Sequence, residues 1–247
     1  MDSPAKATRI RKSPAPKTAP IQVRMPGEDH RTRVGRERRE RMRRHLLQAV
    51  TSVCSGRKIT GPAVIEDVVQ YANVSRGTFY KYFDSLEEAI SQLAFEMVDE
   101  MVISSSEYYG RLTDPVQRTA TGFQAYLARS IIDRDWGGFV THLDLFSKDD
   151  VRILNNIRHD IETGIKTGDY FVRSVDVAVD LVIGATIEAI RRIVADNRGV
   201  DYMTAMTELV LNALGVSHSK AEKVVRQAYD RLRELGPGSL PWWRPLE

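Results

Sequence analysis

Seven residues between positions 75 and 82 have the side-chain types and the spacing that contact with a nucleic acid requires. Arg76 is a permanent cation that can pair with a guanine edge, and Thr78 can touch a base edge or a thymine methyl group. Tyr80, Lys81 and Tyr82 are suited to phosphate contacts, although packing in a core is the alternative for Tyr80. The candidate DNA contacts are therefore Ser75, Arg76, Gly77, Thr78, Tyr80, Lys81 and Tyr82.

The surrounding residues predict two short helices that would hold these side chains. Apolar residues recur at helical spacing over positions 65–72, and Asn73 suits the turn because asparagine tolerates a left-handed backbone. Ser75 is a candidate N-cap of the second helix. Phe79 and Phe83 are four positions apart, so both can face a core while the polar residues between them face outward. This pattern is typical of a helix-turn-helix unit.

The positive charge of the chain is concentrated near its amino-terminal end. Residues 1–44 contain 14 Lys and Arg against five Asp and Glu, although the formal net charge of the whole chain is only +3. A basic head on an acidic remainder predicts a polyanionic partner at one end only. Residues 1–32, rich in Pro, Lys, Arg, Ser and Ala, predict a disordered basic arm. That arm is either inert or adds phosphate and minor-groove contacts.

The rest of the sequence predicts helices only. Apolar residues recur at a period of 3.6 beyond position 83, and no alternating strand pattern is present. We therefore predict an all-α fold of about nine to ten helices, with a three-helix helix-turn-helix head and a larger helical body. A capping box at Ser219 and Glu222 predicts the start of the last helix, and Gly236-Pro237 predicts its end.

No sequence motif of an enzyme, a cofactor site or a metal site is present. G-x-G-x-x-G, Walker and G-x-S-x-G patterns are absent, and the five histidines lack metal-ligand spacing. We therefore predict no catalytic residue, no cofactor and no metal. The single Cys54 suits a reducing compartment, and its apolar surroundings favour a buried small residue over a redox sensor. Without a signal peptide or an unbroken apolar span, we expect a soluble, cytoplasmic, nucleoid-associated protein.

Residues 64–88 closely resemble the amino-terminal signature of the TetR/AcrR family of bacterial transcription regulators. Three positions depart from the family pattern: Val69 replaces the usual Ala, Asn73 the usual Gly, and Leu86 a common Lys that often contacts a phosphate. The phosphate contact at Leu86 is therefore not expected in this chain. The residues that carry the resemblance are Asp67, Val68, Ala72, Val74, Ser75, Gly77, Thr78, Phe79, Tyr80, Tyr82, Phe83, Ser85, Glu87 and Glu88.

The resemblance implies a homodimeric regulator, most often a repressor, that a small hydrophobic effector releases from a palindromic operator. The alternative is a constitutive or architectural DNA-binding protein without an effector, which the long basic arm keeps open. The implied domains are the arm at 1–32, the helix-turn-helix DNA-binding domain at 33–83, a helical effector-binding and dimerisation domain at 84–236, and a carboxy-terminal tail at 237–247.

The resemblance also implies two sites in the helical body. Aromatic residues of its middle helices are candidates for an effector pocket, with ordinary core packing as the alternative for each one. Its late helices would pair across a dimer axis, with burial inside the monomer as the alternative. The candidate pocket residues are Tyr109, Phe123, Tyr126, Trp136, Phe139, His142 and Phe146. The candidate dimer residues are Leu181, Gly184, Ala185 and Glu188.

Overall fold

The computed structural model describes residues 30–56, 62–142 and 151–246, and every regular element within these ranges is an α-helix. This confirms the predicted all-α fold. The ten helices of the described residues are α1 (His30–Cys54), α2 (Ile65–Tyr71), α3 (Arg76–Phe79), α4 (Leu86–Tyr109), α5 (Pro115–Ile132), α6 (Arg134–His142), α7 (Val151–Thr167), α8 (Val175–Asp196), α9 (Val200–Ala213) and α10 (His218–Ser239).

The chain divides into two compact units, residues 1–40 and residues 41–247, and the division falls within α1. The predicted arm lies outside the described residues up to position 29. Its last three positions, 30–32, are helical instead, because α1 begins at His30. An ion pair between Arg33 and Glu37, four residues apart, supports these first turns in the way expected of such helical pairs.

Helices α1 to α3 and the first half of α4 enclose one hydrophobic core, which we call the head core. Leu46 and Val50 of α1, Val68 of α2 and Phe79 of α3 are all fully buried there. The rings of Phe79 and Phe83 lie 5.5 Å apart, so these two residues anchor the short third helix. Leu86 is also buried in the head core.

The predicted turn and caps of the head are present. Asn73 adopts a left-handed backbone with φ 52°, and the Ser75 hydroxyl accepts a hydrogen bond from the Thr78 amide at 3.1 Å. At the start of α4, the Ser85 hydroxyl accepts from the Glu88 amide at 3.0 Å, and the Glu88 carboxylate accepts from the Asp84 amide at 2.5 Å. These bonds satisfy amides that have no partner within the helix, so they fix where each helix begins.

Helix α5 is the centre of the body, where it packs against α6, α7, α8, α9 and α10. The body core includes fully buried residues from several of these helices, among them Leu127, Trp136, Ile161 and Ile190. Helix α4 joins both parts, because its first half contributes to the head core, its second half contributes to the body core, and Met97 packs against both.

The predicted bounds of the last helix were wrong at both ends. Ser217 occupies the N-cap position, and the helix continues through Gly236 and Pro237 to Ser239. Gly236 is tolerated because it packs against the Trp243 ring, where an added Cβ atom would lie 2.7 Å from ring carbons. Proline interrupts little here because it falls in the last turn, and the Leu240 amide still donates to the Gly236 carbonyl at 2.9 Å.

Candidate nucleic-acid interface and body cavity

The α2–α3 unit separates its polar residues from its apolar ones. Phe79 and Phe83 are buried in the head core. Of the seven candidate DNA contacts, two are half-buried, Thr78 and Tyr82, and the other five are exposed. The structure therefore presents one short stretch of hydroxyl, phenol and cationic groups on a rigid apolar base.

The Arg76 guanidinium is exposed and already has partners on the protein surface. Its Nη1 atom lies 2.6 Å from a Glu66 carboxylate oxygen. A hydrogen bond with Tyr80, and after it the charge of Glu66, raise the pKa of Arg76, so the group is a cation at any physiological pH. Exposed ion pairs contribute little to stability, so a guanine edge or a phosphate can replace Glu66 at small cost.

Two polar residues of the head, Ser75 and Arg43, stabilise its architecture. The Ser75 hydroxyl caps α3 and lies 3.0 Å from the Thr78 hydroxyl. Arg43 of α1 donates to Gln92 at 2.8 Å and to Glu96 at 2.5 Å, and its guanidinium lies 5.9 Å from the centre of the Phe83 ring. Arg43 therefore fastens α1 to α4.

A cavity of about 60 Å³ lies between α4, α5, α7 and α8 in the body. The structure places two of the candidate pocket residues, Phe123 and Tyr126, on its wall. Trp136 lines a smaller cavity of about 20 Å³ that Tyr126 also borders. The residues that line the larger cavity are Val102, Arg118, Thr119, Gly122, Phe123, Tyr126, Ile153, Asn156, Ile157, Asp160, Val182, Ile183 and Thr186.

The other candidate pocket residues do not line this cavity. Phe139 is completely buried in the head core, because α6 docks on the carboxy-terminal end of α1. His142, which is exposed, lies against Gly56 at the same place, where its ring is 3.1 Å from the position of an added glycine Cβ atom. The side chain of Tyr109 and all of Phe146 lie outside the described residues.

The polar corner of the cavity consists of residues that the sequence did not single out. The Arg118 Nε atom donates to the Asp160 carboxylate at 2.5 Å. The Tyr170 hydroxyl donates to the Pro115 carbonyl at 3.0 Å and accepts from the Thr119 hydroxyl at 2.8 Å. Burial raises the pKa of Asp160, against the opposing effect of the hydrogen bond from Arg118. The available signal in the sequence was a charged residue within an apolar helical stripe. That signal did not identify the pair, because Arg118 and Asp160 are 42 positions apart.

Helices α8 and α9 carry exposed apolar side chains. Leu181 is 41% exposed, Val177 67% and Leu209 63%. Val177, Leu181, Gly184 and Glu188 follow each other at helical spacing on α8, and an added Cβ atom at Gly184 would meet no heavy atom within 4 Å. Ala185, the remaining candidate dimer residue, is half-buried beside them.

Glu188 is held at this surface by Arg191 at 2.7 Å and Arg192 at 2.8 Å. Hydrogen bonds from these two arginines, Arg192 first, lower the pKa of the Glu188 carboxyl group. The negative charge of Glu188 is therefore compensated by two arginines at this surface.

The described residues contain no group of three or more His, Cys, Asp or Glu side chains that could hold a metal ion. Cys54 is buried, and burial raises the pKa of its thiol to about 11. The thiolate that oxidation and metal binding require is therefore scarce at neutral pH. No helix in the described part of the chain has the length and apolarity to cross a membrane.

Comparison with known proteins finds a matching family model and solved structures of similar fold. The family model described as tetracyclin repressor-like, C-terminal domain, matches residues 114–227. Among solved structures, RolR in complex with resorcinol has 23% identity and a TM-score of 0.56, covering 77% of this chain and 95% of that one. An ArpA-like gamma-butyrolactone receptor has 13% identity and a TM-score of 0.60, covering 80% and 99%. FadR from Bacillus subtilis in complex with stearoyl-CoA has 16% identity and a TM-score of 0.58, covering 69% and 96%.

At these identities the structural similarity shows the fold alone. A comparison with curated protein sequences finds no significant match.

Proposed function

Because the chain belongs to the TetR family of transcriptional regulators, we propose that it is a homodimeric repressor, released from a palindromic operator by a small hydrophobic effector. One observation carries the DNA-binding part of this proposal. Helix α3 and the turn after it expose Arg76, Tyr80 and Lys81, while Phe79 and Phe83 lock the same stretch into the head core. Such a rigid base positions side chains for a major groove.

Within this interface, the residues divide into those that read bases and those that fix the position on the duplex. Arg76 pairs with a guanine edge, and Thr78 contacts a base edge or a thymine methyl group. Gly77 allows close approach of the backbone. Tyr80, Lys81 and Tyr82 contact phosphates, while Ser75 holds the helix start through its cap.

Selection of bound fragments from a pool of random duplexes, with the purified protein at physiological salt, tests this proposal. We expect a palindrome whose half-sites have centres about 34–36 Å apart or a multiple of it, because each protomer supplies one recognition helix. Recovery of DNA with no shared motif would support the alternative of an architectural protein, and recovery of no DNA would contradict both.

The exposed apolar face of α8 and α9 supports the homodimer. A dimer with two-fold symmetry brings the same residues of both protomers together, and the small residues Gly184 and Ala185 allow two α8 helices to approach closely. The apolar side chains of Val177, Leu181 and Leu209 would be removed from water in that assembly.

A charge at position 181 tests the dimer face. In the Leu181→Glu variant, two carboxylates would face each other near the axis, so we expect dimer affinity to fall by at least about 100-fold. Size-exclusion chromatography with light scattering measures the change in mass. Leu235→Glu is the matched control, because Leu235 of α10 is also 41% exposed. Equal effects of the two substitutions would place the interface elsewhere.

The effector part of the proposal is supported by the body cavity and by its position. Val102 of α4 forms part of the wall, and α4 also contributes to the head core through Leu93. A ligand that moves α4 therefore changes the placement of the head, and operator affinity falls by the difference in ligand affinity between the two states. RolR, which has the same fold, is seen with resorcinol, a ligand of one ring.

Removal of residues 1–29 tests how this segment contributes to DNA binding. This segment holds six Lys and Arg against three Asp and Glu, and its removal leaves α1 intact. If it supplies general phosphate contacts, affinity falls alike for all sequences, and the slope of log affinity against log salt becomes shallower by about 0.9 per lost contact. A loss confined to preferred sites would instead mean that the segment reads groove shape. Titrations at three salt concentrations with operator and scrambled duplexes provide the comparison.

A further inference from the structure

The polar corner of the body cavity is electrically balanced. Arg118 and Asp160 both line the cavity, and their side chains are 19% and 8% exposed. The pair is joined by the hydrogen bond from Arg118 Nε to Asp160 Oδ1 at 2.5 Å. A ligand with its own charge would face one member of the pair with the same sign, and that charge would have no compensating partner between two largely buried side chains.

The size and walls of the cavity restrict the apolar part of a ligand. The volume of about 60 Å³ is below the roughly 150 Å³ of an engineered apolar cavity that holds benzene. Its apolar lining includes Phe123, Ile157, Val182 and Ile183. A ligand of about one ring therefore fits only when these walls move outward, and a long acyl chain exceeds the space by far.

The hydrogen-bonding groups at the polar corner match a hydroxyl group. An ionised carboxylate only accepts hydrogen bonds and does so at two oxygens, so Asp160 can accept from a ligand O–H in addition to Arg118. The single proton of the Tyr170 hydroxyl is donated to the Pro115 carbonyl at 3.0 Å, so the Thr119 hydroxyl donates its own proton to Tyr170 and its oxygen is left to accept. Both Asp160 and Thr119 can thus accept a hydrogen bond from a ligand hydroxyl.

We propose that the effector is a compact, uncharged molecule with an apolar ring and a hydroxyl group that donates a hydrogen bond to Asp160. The inference rests on the proposed function, since it names the chemical class of the effector for the same cavity. An ether of the same shape lacks the donor, so its binding would cover the carboxylate oxygen without giving it a hydrogen bond. A carboxylate in the same place would face Asp160 directly.

Four benzene derivatives of similar size test this class by isothermal titration of the full-length protein at pH 7. Phenol remains uncharged, because its pKa resembles the value near 10 of a tyrosine side chain. Anisole lacks the donor, benzoate is an anion, and benzylammonium is a cation. We expect phenol to bind at least about tenfold more tightly than each of the others. Equal binding of anisole, tighter binding of benzoate or benzylammonium, or no binding of phenol would overturn the proposal.

The Asp160→Asn variant changes the net charge of the cavity wall. It removes the carboxylate and leaves the Arg118 cation in the cavity, so we expect benzoate to become the preferred ligand over phenol. Glu162→Gln is the control on the same helix, because Glu162 does not line the cavity, and it should keep the wild-type order. An unchanged order in Asp160→Asn would contradict the assignment of Asp160 as the acceptor.

Two further measurements keep the result interpretable. Circular dichroism at 222 nm establishes that Asp160→Asn is folded, and the double variant Arg118→Gln/Asp160→Asn, whose pair is uncharged, should lose the preference for benzoate. A benzoate preference that survives in the double variant would contradict the role of Arg118. Operator affinity without ligand is measured on the same samples. A lack of sequence selectivity in that measurement counts against the proposed function, whereas an unexpected order of ligand affinities counts only against the proposed effector class.

Discussion

Replacement of Arg76 and Lys81 by alanine is expected to abolish selection of a palindrome. Arg76 is exposed at the start of α3, where Glu66 and Tyr80 are its partners, so its removal leaves the head core intact. Loss of one bidentate contact with guanine lowers discrimination by roughly 10-fold or more, and a palindrome loses it in both half-sites. We therefore expect Arg76→Ala to weaken operator binding by at least about 100-fold, whereas binding to random DNA changes far less.

Lys81→Ala is expected to act differently, because a phosphate contact carries no sequence information. It should weaken binding to all duplexes and make the slope of log affinity against log salt shallower by about 0.9 per half-site.

Arg226→Ala is the matched control for Arg76→Ala, since Arg226 is also an exposed arginine paired with a glutamate, Glu222, but lies on α10 of the body. Fluorescence anisotropy with operator and scrambled duplexes distinguishes the three variants. Unchanged operator affinity in Arg76→Ala would remove this residue from the interface.

Truncation of Phe139 is expected to be the most destabilising single substitution considered. The side chain is completely buried in the head core although its helix, α6, belongs to the body. Removing a buried phenylalanine side chain costs about 3–5 kcal/mol, which corresponds to a fall in Tm of roughly 10 °C for a chain of this size. Differential scanning calorimetry measures both quantities.

Phe95→Ala is the control for this substitution, because Phe95 of α4 is 62% exposed and its main ring contact, with Arg152 at 5.7 Å, limits the loss of stability to about 1 kcal/mol. Gly138 gives an independent check of the same contact. A Cβ atom at position 138 would lie 2.4 Å from the Ser55 carbonyl oxygen, so Gly138→Ala should also destabilise the junction between α6 and α1. Equal stability of the Phe139 and Phe95 variants would contradict the docking of α6 on the head.

The junction between α6 and the head could not be predicted from the sequence. Phe139 is aromatic, as most of the candidate pocket residues are, and nothing near it in the chain indicates that it belongs to the head core. The hydrogen bond from the Ser52 hydroxyl to the Asp135 carboxylate, at 2.8 Å, joins residues 83 positions apart. Such contacts depend on how two helices cross, which local periodicity does not specify.

The carboxy-terminal residues illustrate the same limit. Arg129 of α5 lies 5.6 Å from the Trp136 ring and 5.3 Å from the Trp242 ring. Burial lowers the pKa of its guanidinium, against the opposing effects of Glu100 and Asp133. Trp242, which follows the last helix, is buried in the body core of its own chain.

The sequence by itself determined the helix-turn-helix unit, because its signals act between residues five or fewer positions apart. The left-handed Asn73, the Ser75 cap and the Phe79–Phe83 pair all follow from local backbone and side-chain chemistry. Only the tertiary structure decided the character of the body cavity. Arg118 and Asp160 are brought together by the packing of α5 on α7, and that packing is selected by the total burial of apolar surface rather than by any local pattern.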